Sequence, residues 1–201
     1  MTQEISNFGD HAQATMQSKV NVPEGMGIEG YYHVVCRDKD GNIKWEEEFP
    51  NLVVAVGKQL MLDTLLSGSS YTTVGPYLGL ISGSGSTFAA TDTMASHVGW
   101  TEFTAYTVGG SAVRGTASFT SATSSGTTPS NVTTKTAAAI TYTITGGGGT
   151  VGGCFLVTGS GASSTQGNTS GTLYSAGNFA TAKITTAGDT VSVTYSTTAT
   201  S

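Results

Sequence analysis

Charged side chains are scarce in this 201-residue sequence, and their scarcity argues against several classes of protein. Asp, Glu, Lys and Arg make up 10% of the residues, against about a quarter in an ordinary soluble domain, and only 8 residues are Lys or Arg. A nucleic-acid-binding protein needs basic side chains to contact phosphates. The composition therefore argues against direct nucleic-acid binding.

Cysteines and long apolar runs are also scarce. The two cysteines, Cys36 and Cys154, each stand in a short apolar run. This favours two buried thiols, and a single disulfide between them is the alternative. No apolar stretch reaches the length of a membrane span, and the first residues have neither the basic nor the apolar part of a signal peptide. We therefore expect a protein that is made in the cytoplasm, has no membrane partner, and stays there or leaves by lysis.

Hydroxyl side chains and glycine are abundant instead. Ser and Thr account for 58 residues and Gly for 28, and 54 of the hydroxyl residues lie in 64–201. That part carries three charges of each sign, whereas residues 1–63 carry a net charge of −5. A neutral, hydroxyl-covered surface gives little electrostatic steering. It favours a structural or binding module over an enzyme.

The pattern of apolar residues predicts a mainly β protein, a β-sandwich or jelly-roll-like domain over 26–201 with one short packed helix at about 56–67. Residues 1–25 are polar and read as an extended N-terminal arm, either a loose tail or a clamp on a neighbouring subunit. A turn at 38–42 joins two strands, 31–36 and 43–49. Further strands are predicted at 77–81, 112–119, 140–145, 154–157, 179–185 and 191–195.

The same periodicity predicts the core. Apolar residues that share one face of a strand or of the helix are expected to be buried. In 112–119 this rule places Arg114 on the face opposite Val113, Ala117 and Phe119. The expected core residues are Tyr32, Val34, Cys36, Trp45, Leu60, Leu65, Leu80, Phe119, Tyr142, Ile144, Phe155, Val191 and Val193.

Motifs for metal and nucleotide binding are incomplete. The run 38–42 has its glycine in the fourth position, whereas a calcium loop needs it in the sixth. The glycines at 147, 149 and 152 match G-x-G-x-x-G, but an apolar strand follows where a nucleotide site needs a helix. We interpret the glycine run as a flexible connection between strands. The three histidines share no ligand spacing, so no metal or cofactor is expected.

Two groups of residues could still carry chemistry. A glycosidase-like carboxylate pair could combine one of Glu46, Glu47 and Glu48 with Asp92, Glu102 or Asp189. The segment 97–103 contains Trp100 and Glu102, and it could form a binding site. The preferred interpretation is that Trp100 anchors a corner of the core, because large aromatic residues mostly serve cores.

Four segments carry a resemblance to a known group of proteins. The segment 45–58 contains N-x-V-x-x-x-G-K ahead of the helix, and 77–80 has the form Y-L-G-L. Together with 92–97 and 186–195, they resemble virion proteins of tailed bacteriophages over about residues 28–195. Some members of that group resemble capsid decoration (cement) proteins, and others resemble tail or adaptor components. The resemblance implies no catalytic residue.

The leading hypothesis is therefore a non-enzymatic capsid decoration protein on the virion surface. Its expected partners are the major capsid protein and neighbouring copies of itself, and the resemblance implies a homo-oligomer on the particle. The alternative is a tail-associated adaptor or receptor-binding module. The residues expected to contact a partner are Ile5, Phe8, Met16, Val20 and Trp100.

Overall fold

The computed structural model describes residues 27–66, 74–83, 86–125, 128–132 and 138–200. Within these ranges the chain forms thirteen strands and one helix, so the predicted mainly β fold is confirmed. The strands are β1 (Gly27–Arg37), β2 (Ile43–Pro50), β3 (Leu52–Val53), β4 (Tyr77–Ser82), β5 (Thr101–Phe103), β6 (Tyr106–Thr107), β7 (Gly115–Thr116), β8 (Thr123–Ser125), β9 (Thr128–Val132), β10 (Ile140–Ile144), β11 (Gly149–Thr158), β12 (Thr172–Thr185) and β13 (Thr190–Thr200), and the helix is α1 (Ala55–Leu66).

The strands form two antiparallel sheets that enclose a common core. The first sheet has the order β2-β1-β13-β10-β6, and β9 pairs with the end of β13 and with β8. The second sheet has the order β3-β12-β11-β4-β5, and β7 pairs with β4. Apolar residues from both sheets meet in one cluster, which defines a β-sandwich.

The hairpin of β1 and β2 has the predicted turn. One carboxylate oxygen of Asp38 accepts hydrogen bonds from the backbone amides of Asp40 and Asn42, both at 2.9 Å. Hydrogen bonds from the side chain and the backbone of Asn42 hold the pKa of Asp38 below its ordinary value. Since this carboxylate serves the turn, the interpretation as a turn rather than a calcium loop agrees with the structure.

The core between the sheets contains most of the residues predicted for it. Aromatic rings fill its centre, and the Tyr32 and Tyr195 ring centroids lie 4.8 Å apart. The Tyr142 hydroxyl donates a 2.9 Å hydrogen bond to the carbonyl oxygen of Leu78, so this buried polar group is satisfied. The predicted residues that are buried here are Tyr32, Val34, Cys36, Leu80, Tyr142, Ile144, Val191 and Val193, with Trp45 and Phe119 partly buried at the edge.

The second sheet is buried on both faces. Its outer face holds a separate apolar cluster under α1 and the segment that follows β4. Phe155 lies in this second cluster, whereas its neighbours Cys154 and Leu156 point into the first. This explains why 77–81 in β4 and 154–157 in β11 are nearly continuous apolar runs, as is usual for strands covered on both sides.

The predicted position of Leu65 in the core is wrong. Its side chain is 75% exposed, and Leu60 is only partly buried. The helix contacts β12 closely at Gly57, where a Cβ atom would lie 2.5 Å from the carbonyl oxygen of Tyr174. Each helical residue turns by about 100°, so Leu60 and Leu62 point in nearly opposite directions and the four leucines of α1 cannot share one buried face.

The interpretation of the glycine run as a connection is wrong for residues 149–153, which belong to β11. Gly153 lies at an irregularity in the pairing with β12, and a Cβ atom there would collide with the carbonyl oxygen of Gly177. Glycine therefore allows two backbones to approach closely at this point. Residues 154–158, where a nucleotide site would need a helix, continue the same strand.

Candidate interaction surface

The described chain buries one strong ion pair, between Arg114 and Glu102. The Arg114 Nε and Nη2 atoms donate hydrogen bonds to the two Glu102 carboxylate oxygens at 2.9 and 2.7 Å. Arg114 is 1% exposed, and its guanidinium lies 5.1 Å from the ring centroid of Phe155. The predicted strand 112–119 is correspondingly reduced to the two residues of β7. The alternation of buried and exposed residues holds only within a strand. Because Arg114 lies outside β7, the alternating pattern could not predict that its side chain is buried.

The same pair holds the loop between β11 and β12. Arg114 donates to the carbonyl oxygens of Ser163 and Asn168 at 3.1 and 2.7 Å. Glu102 accepts a 2.7 Å hydrogen bond from the backbone amide of Gly167. The guanidinium and the carboxylate are thus hydrogen-bonded both to each other and to the loop backbone. Arg114 and Glu102 therefore have a structural role in holding this loop.

Glu47 and Asp92, which were also considered for acid–base chemistry, are engaged as well. Glu47 binds Lys183 at 2.7 Å and accepts from the amide of Ala180, which joins β2 to β12. Partial burial raises the pKa of Glu47, but the hydrogen bonds and the charge of Lys183 outweigh it, so the pKa lies below its ordinary value. Asp92 accepts a hydrogen bond from the amide of Ala89.

Asp189 has the same arrangement beside the first residues of β2. Its carboxylate binds the Lys44 ammonium at 2.6 Å and accepts from the amide of Thr186 at 2.8 Å. Burial raises the pKa of Asp189, whereas these two partners lower it, and the net shift is downward. Glu47, Glu102 and Asp189 therefore serve three separate structural contacts, each with a different cationic side chain.

Trp100 is buried, which corrects its assignment as a partner-contacting residue. It is 5% exposed, the His97 ring stacks on it at 3.7 Å, and the Phe155 ring lies 5.2 Å away. Both neighbours belong to this chain, so the Trp100 ring is used inside the fold, as expected of a corner anchor. The other predicted contact residues, Ile5, Phe8, Met16 and Val20, lie outside the described residues.

The described ranges also bear on metal binding and on the state of the two cysteines. Those residues contain no cluster of three or more His, Cys, Asp or Glu side chains that could hold a metal ion. Cys36 and Cys154 are both free and buried, which confirms the prediction of two thiols. None of the described helical residues forms a helix long and apolar enough to cross a membrane.

An apolar ridge on α1 is the most prominent exposed feature. We define the α1 ridge as Leu62, Leu65 and Leu66, which are 44%, 75% and 75% exposed. Exposed apolar side chains that are grouped, rather than scattered, mark interaction sites. The sequence did contain a signal for this ridge, because leucines at 60, 62, 65 and 66 surround the helix and so cannot all be buried.

An apolar groove continues from this ridge. Two adjoining depressions of about 330 and 180 Å³ share Thr158 and Tyr174 in their lining. We call their union the α1 groove. It is lined by Leu60, Met61, Thr64, Leu65, Pro76, Phe119, Leu156, Thr158, Tyr174, Tyr195 and Thr197. The lining contains no charged side chain, so this surface suits an apolar segment rather than an ionic ligand.

The outer face of the first sheet is different. A shallow depression there is lined by one imidazole, one guanidinium and several hydroxyls, from His33, Val35, Arg37, Ala139, Thr141, Ser192 and Thr194. The His33 side chain already contacts Glu46 at 2.8 Å, and Arg37 donates to the carbonyl oxygen of Gly41. This face is therefore a hydrated polar surface of the kind that threonine-rich strands present to solvent.

No protein-family model, no curated protein and no solved structure matches this chain. A function must therefore be argued from the exposed surface and from the residues themselves.

Proposed function

We propose that this protein is a capsid decoration protein of a tailed bacteriophage, bound to the shell of the major capsid protein. The observation that carries the proposal is the α1 ridge, a group of three leucines exposed side by side on one helix. Burying such a group against a partner is favourable because apolar area leaves water. The resemblance of residues 28–195 to virion proteins suggests the capsid as that partner.

The mechanism is mechanical. The sandwich sits over a junction between shell subunits, and the added interface resists the outward pressure of the packaged DNA. Each copy binds through apolar and hydrogen-bonded contacts, because residues 64–201 carry no net charge. In the described part of that region, Glu102 and Asp189 are already paired with Arg114 and Lys44. Neighbouring copies on the surface of the virion are the second partner.

The proposal is tested by binding the purified protein to shells that lack it. Leu66→Ser removes an exposed apolar side chain from the ridge without opening a cavity in the core. Full burial of a leucine side chain contributes about 1.5–3 kcal/mol, so we expect binding to weaken by about tenfold to a hundredfold. Ile184→Ser is the matched control, because Ile184 is 72% exposed on β12 and is not part of the ridge.

Two outcomes would contradict the proposal. One is equal binding by the Leu66→Ser and Ile184→Ser variants, which would remove the ridge from the interface. The other is binding to tails rather than shells, which would favour the adaptor or receptor-binding alternative. Binding of the unmodified protein should persist in about 1 M salt, where the Debye length is about 3 Å, because residues 64–201 carry only three charges of each sign.

A further inference from the structure

The α1 groove lies next to the point where the chain enters the domain. Thr197, which lines the groove, pairs with Gly30 in β1, and Gly27 pairs with Thr200. Gly27 is three residues before Gly30, and a strand rises by about 3.4 Å per residue. The 26 residues that precede Gly27 therefore join the domain about 10 Å from the groove.

The composition of those 26 residues matches the groove. They include one aromatic residue, Phe8, and the aliphatic residues Ile5, Met16, Val20 and Val22. The groove offers apolar side chains and hydroxyls with no charge to neutralise. Its two depressions are each large enough for at least one side chain of this kind.

We propose that the α1 groove binds the segment 1–26 of its own chain, with Phe8 as the largest side chain inserted. The chain itself supplies this segment at a short distance, and the covalent link gives it an effective concentration of the order of millimolar. A segment from a neighbouring copy has no such advantage in the free protein. The contact covers Leu60, Met61 and Tyr174 and leaves Leu62 and Leu66 exposed. It is independent of the proposed function, since it would hold with or without a capsid.

The full-length chain tests this directly. Two variants carry the photo-crosslinking residue p-benzoylphenylalanine, one in place of Phe8 and one in place of Val20. After irradiation of dilute protein, the monomer band is digested and its peptides are identified by mass spectrometry. We expect at least one variant to form a crosslink to 60–65, 156–158 or 174 within the same chain.

A pair of matched substitutions tests the groove as the binding site. Leu65→Asp places a charge in the groove lining at a residue that is 75% exposed, so the domain should stay folded, and thermal unfolding checks this. Ile184→Asp places the same charge at an equally exposed position outside the groove. We expect the crosslink to be lost with Leu65→Asp and kept with Ile184→Asp.

Three results would overturn the proposal. The first is the absence of a groove crosslink from both positions. The second is a groove crosslink found only in a dimer band, which would assign the groove to the segment of a neighbouring copy. The third is a crosslink yield that Leu65→Asp and Ile184→Asp leave equally unchanged.

Discussion

The guanidinium of Arg114 and the carboxylate of Glu102 form a two-pronged ion pair, with nitrogen–oxygen distances of 2.9 and 2.7 Å, in which both side chains are almost wholly buried. Glu102 lies on β5, and Arg114 immediately precedes β7, so the pair joins two short strands that follow one another along the same edge of β4. It also holds the loop 159–171 through two carbonyl oxygens and one amide. The pair therefore connects β5, β7 and the loop 159–171 to one another.

We predict that Arg114→Met destabilises the protein by about 3–5 kcal/mol, because it leaves the Glu102 carboxylate buried without its partner. Urea unfolding measures the change. The double variant Arg114→Met/Glu102→Leu should recover much of the loss, since it removes both charges. Asp40→Ala breaks an exposed pair with Lys39 and should change the stability by less than about 1 kcal/mol. Equal effects of Arg114→Met and Asp40→Ala would contradict this account.

Acid should weaken the fold through Asp189. Its pKa is lowered in the folded state, so its contribution to stability is present above the ordinary aspartate pKa of about 3.9 and is lost as the pH falls through the lower folded value. Hydrogen bonds to charged groups contribute about 1.5–3 kcal/mol, which sets the size of the effect. Urea unfolding between pH 7 and pH 2 should show a shallower acid decline for Asp189→Asn than for the unmodified protein. Asp40→Asn, at an exposed carboxylate, is the control, and identical pH profiles for all three proteins would refute the role of Asp189.

Shortening a core side chain should destabilise the protein far more than shortening a side chain of the α1 ridge. Ile144→Ala opens a cavity between the sheets, where the side chain is 2% exposed, and should cost about 2–5 kcal/mol. Leu66→Ala should change the free energy of unfolding by less than about 0.5 kcal/mol, because the side chain is 75% exposed and already mostly in water. Differential scanning calorimetry compares the two variants. A large loss of stability with Leu66→Ala would mean that this end of the ridge is covered within the monomer.

Sequence periodicity predicted the strands best where one face is buried and the other is in water. The segment 140–144 alternates strictly between buried and exposed residues, and the hairpin turn at Asp38 was found from local chemistry alone. Periodicity does not predict burial where contacts between distant parts of the chain decide which side chains are buried. The burial of Arg114 depends on Glu102 twelve residues away and on a loop about fifty residues away, and neither contact leaves a periodic signal.

The candidate surface was predicted less well than the fold. Helical spacing led to Leu65 being assigned to the core, although only the early part of α1 packs closely on β12 at Gly57. A tryptophan beside a glutamate suits binding and makes Trp100 a predicted contact residue, yet its ring stacks on His97 inside the fold. The spacing of apolar residues along a helix does not show how far the helix extends beyond the sheet on which it packs. That position depends on the tertiary structure.

The proposed function assigns this protein to a tailed bacteriophage, and the most direct test is its amount in purified virions of that phage. The measurement is a stained gel in which its band is compared with that of the major capsid protein, corrected for mass. A decoration protein should be present at a copy number close to that of the shell subunits or a simple fraction of it. Absence from the particle, or the small copy number of a tail component, would contradict the central claim.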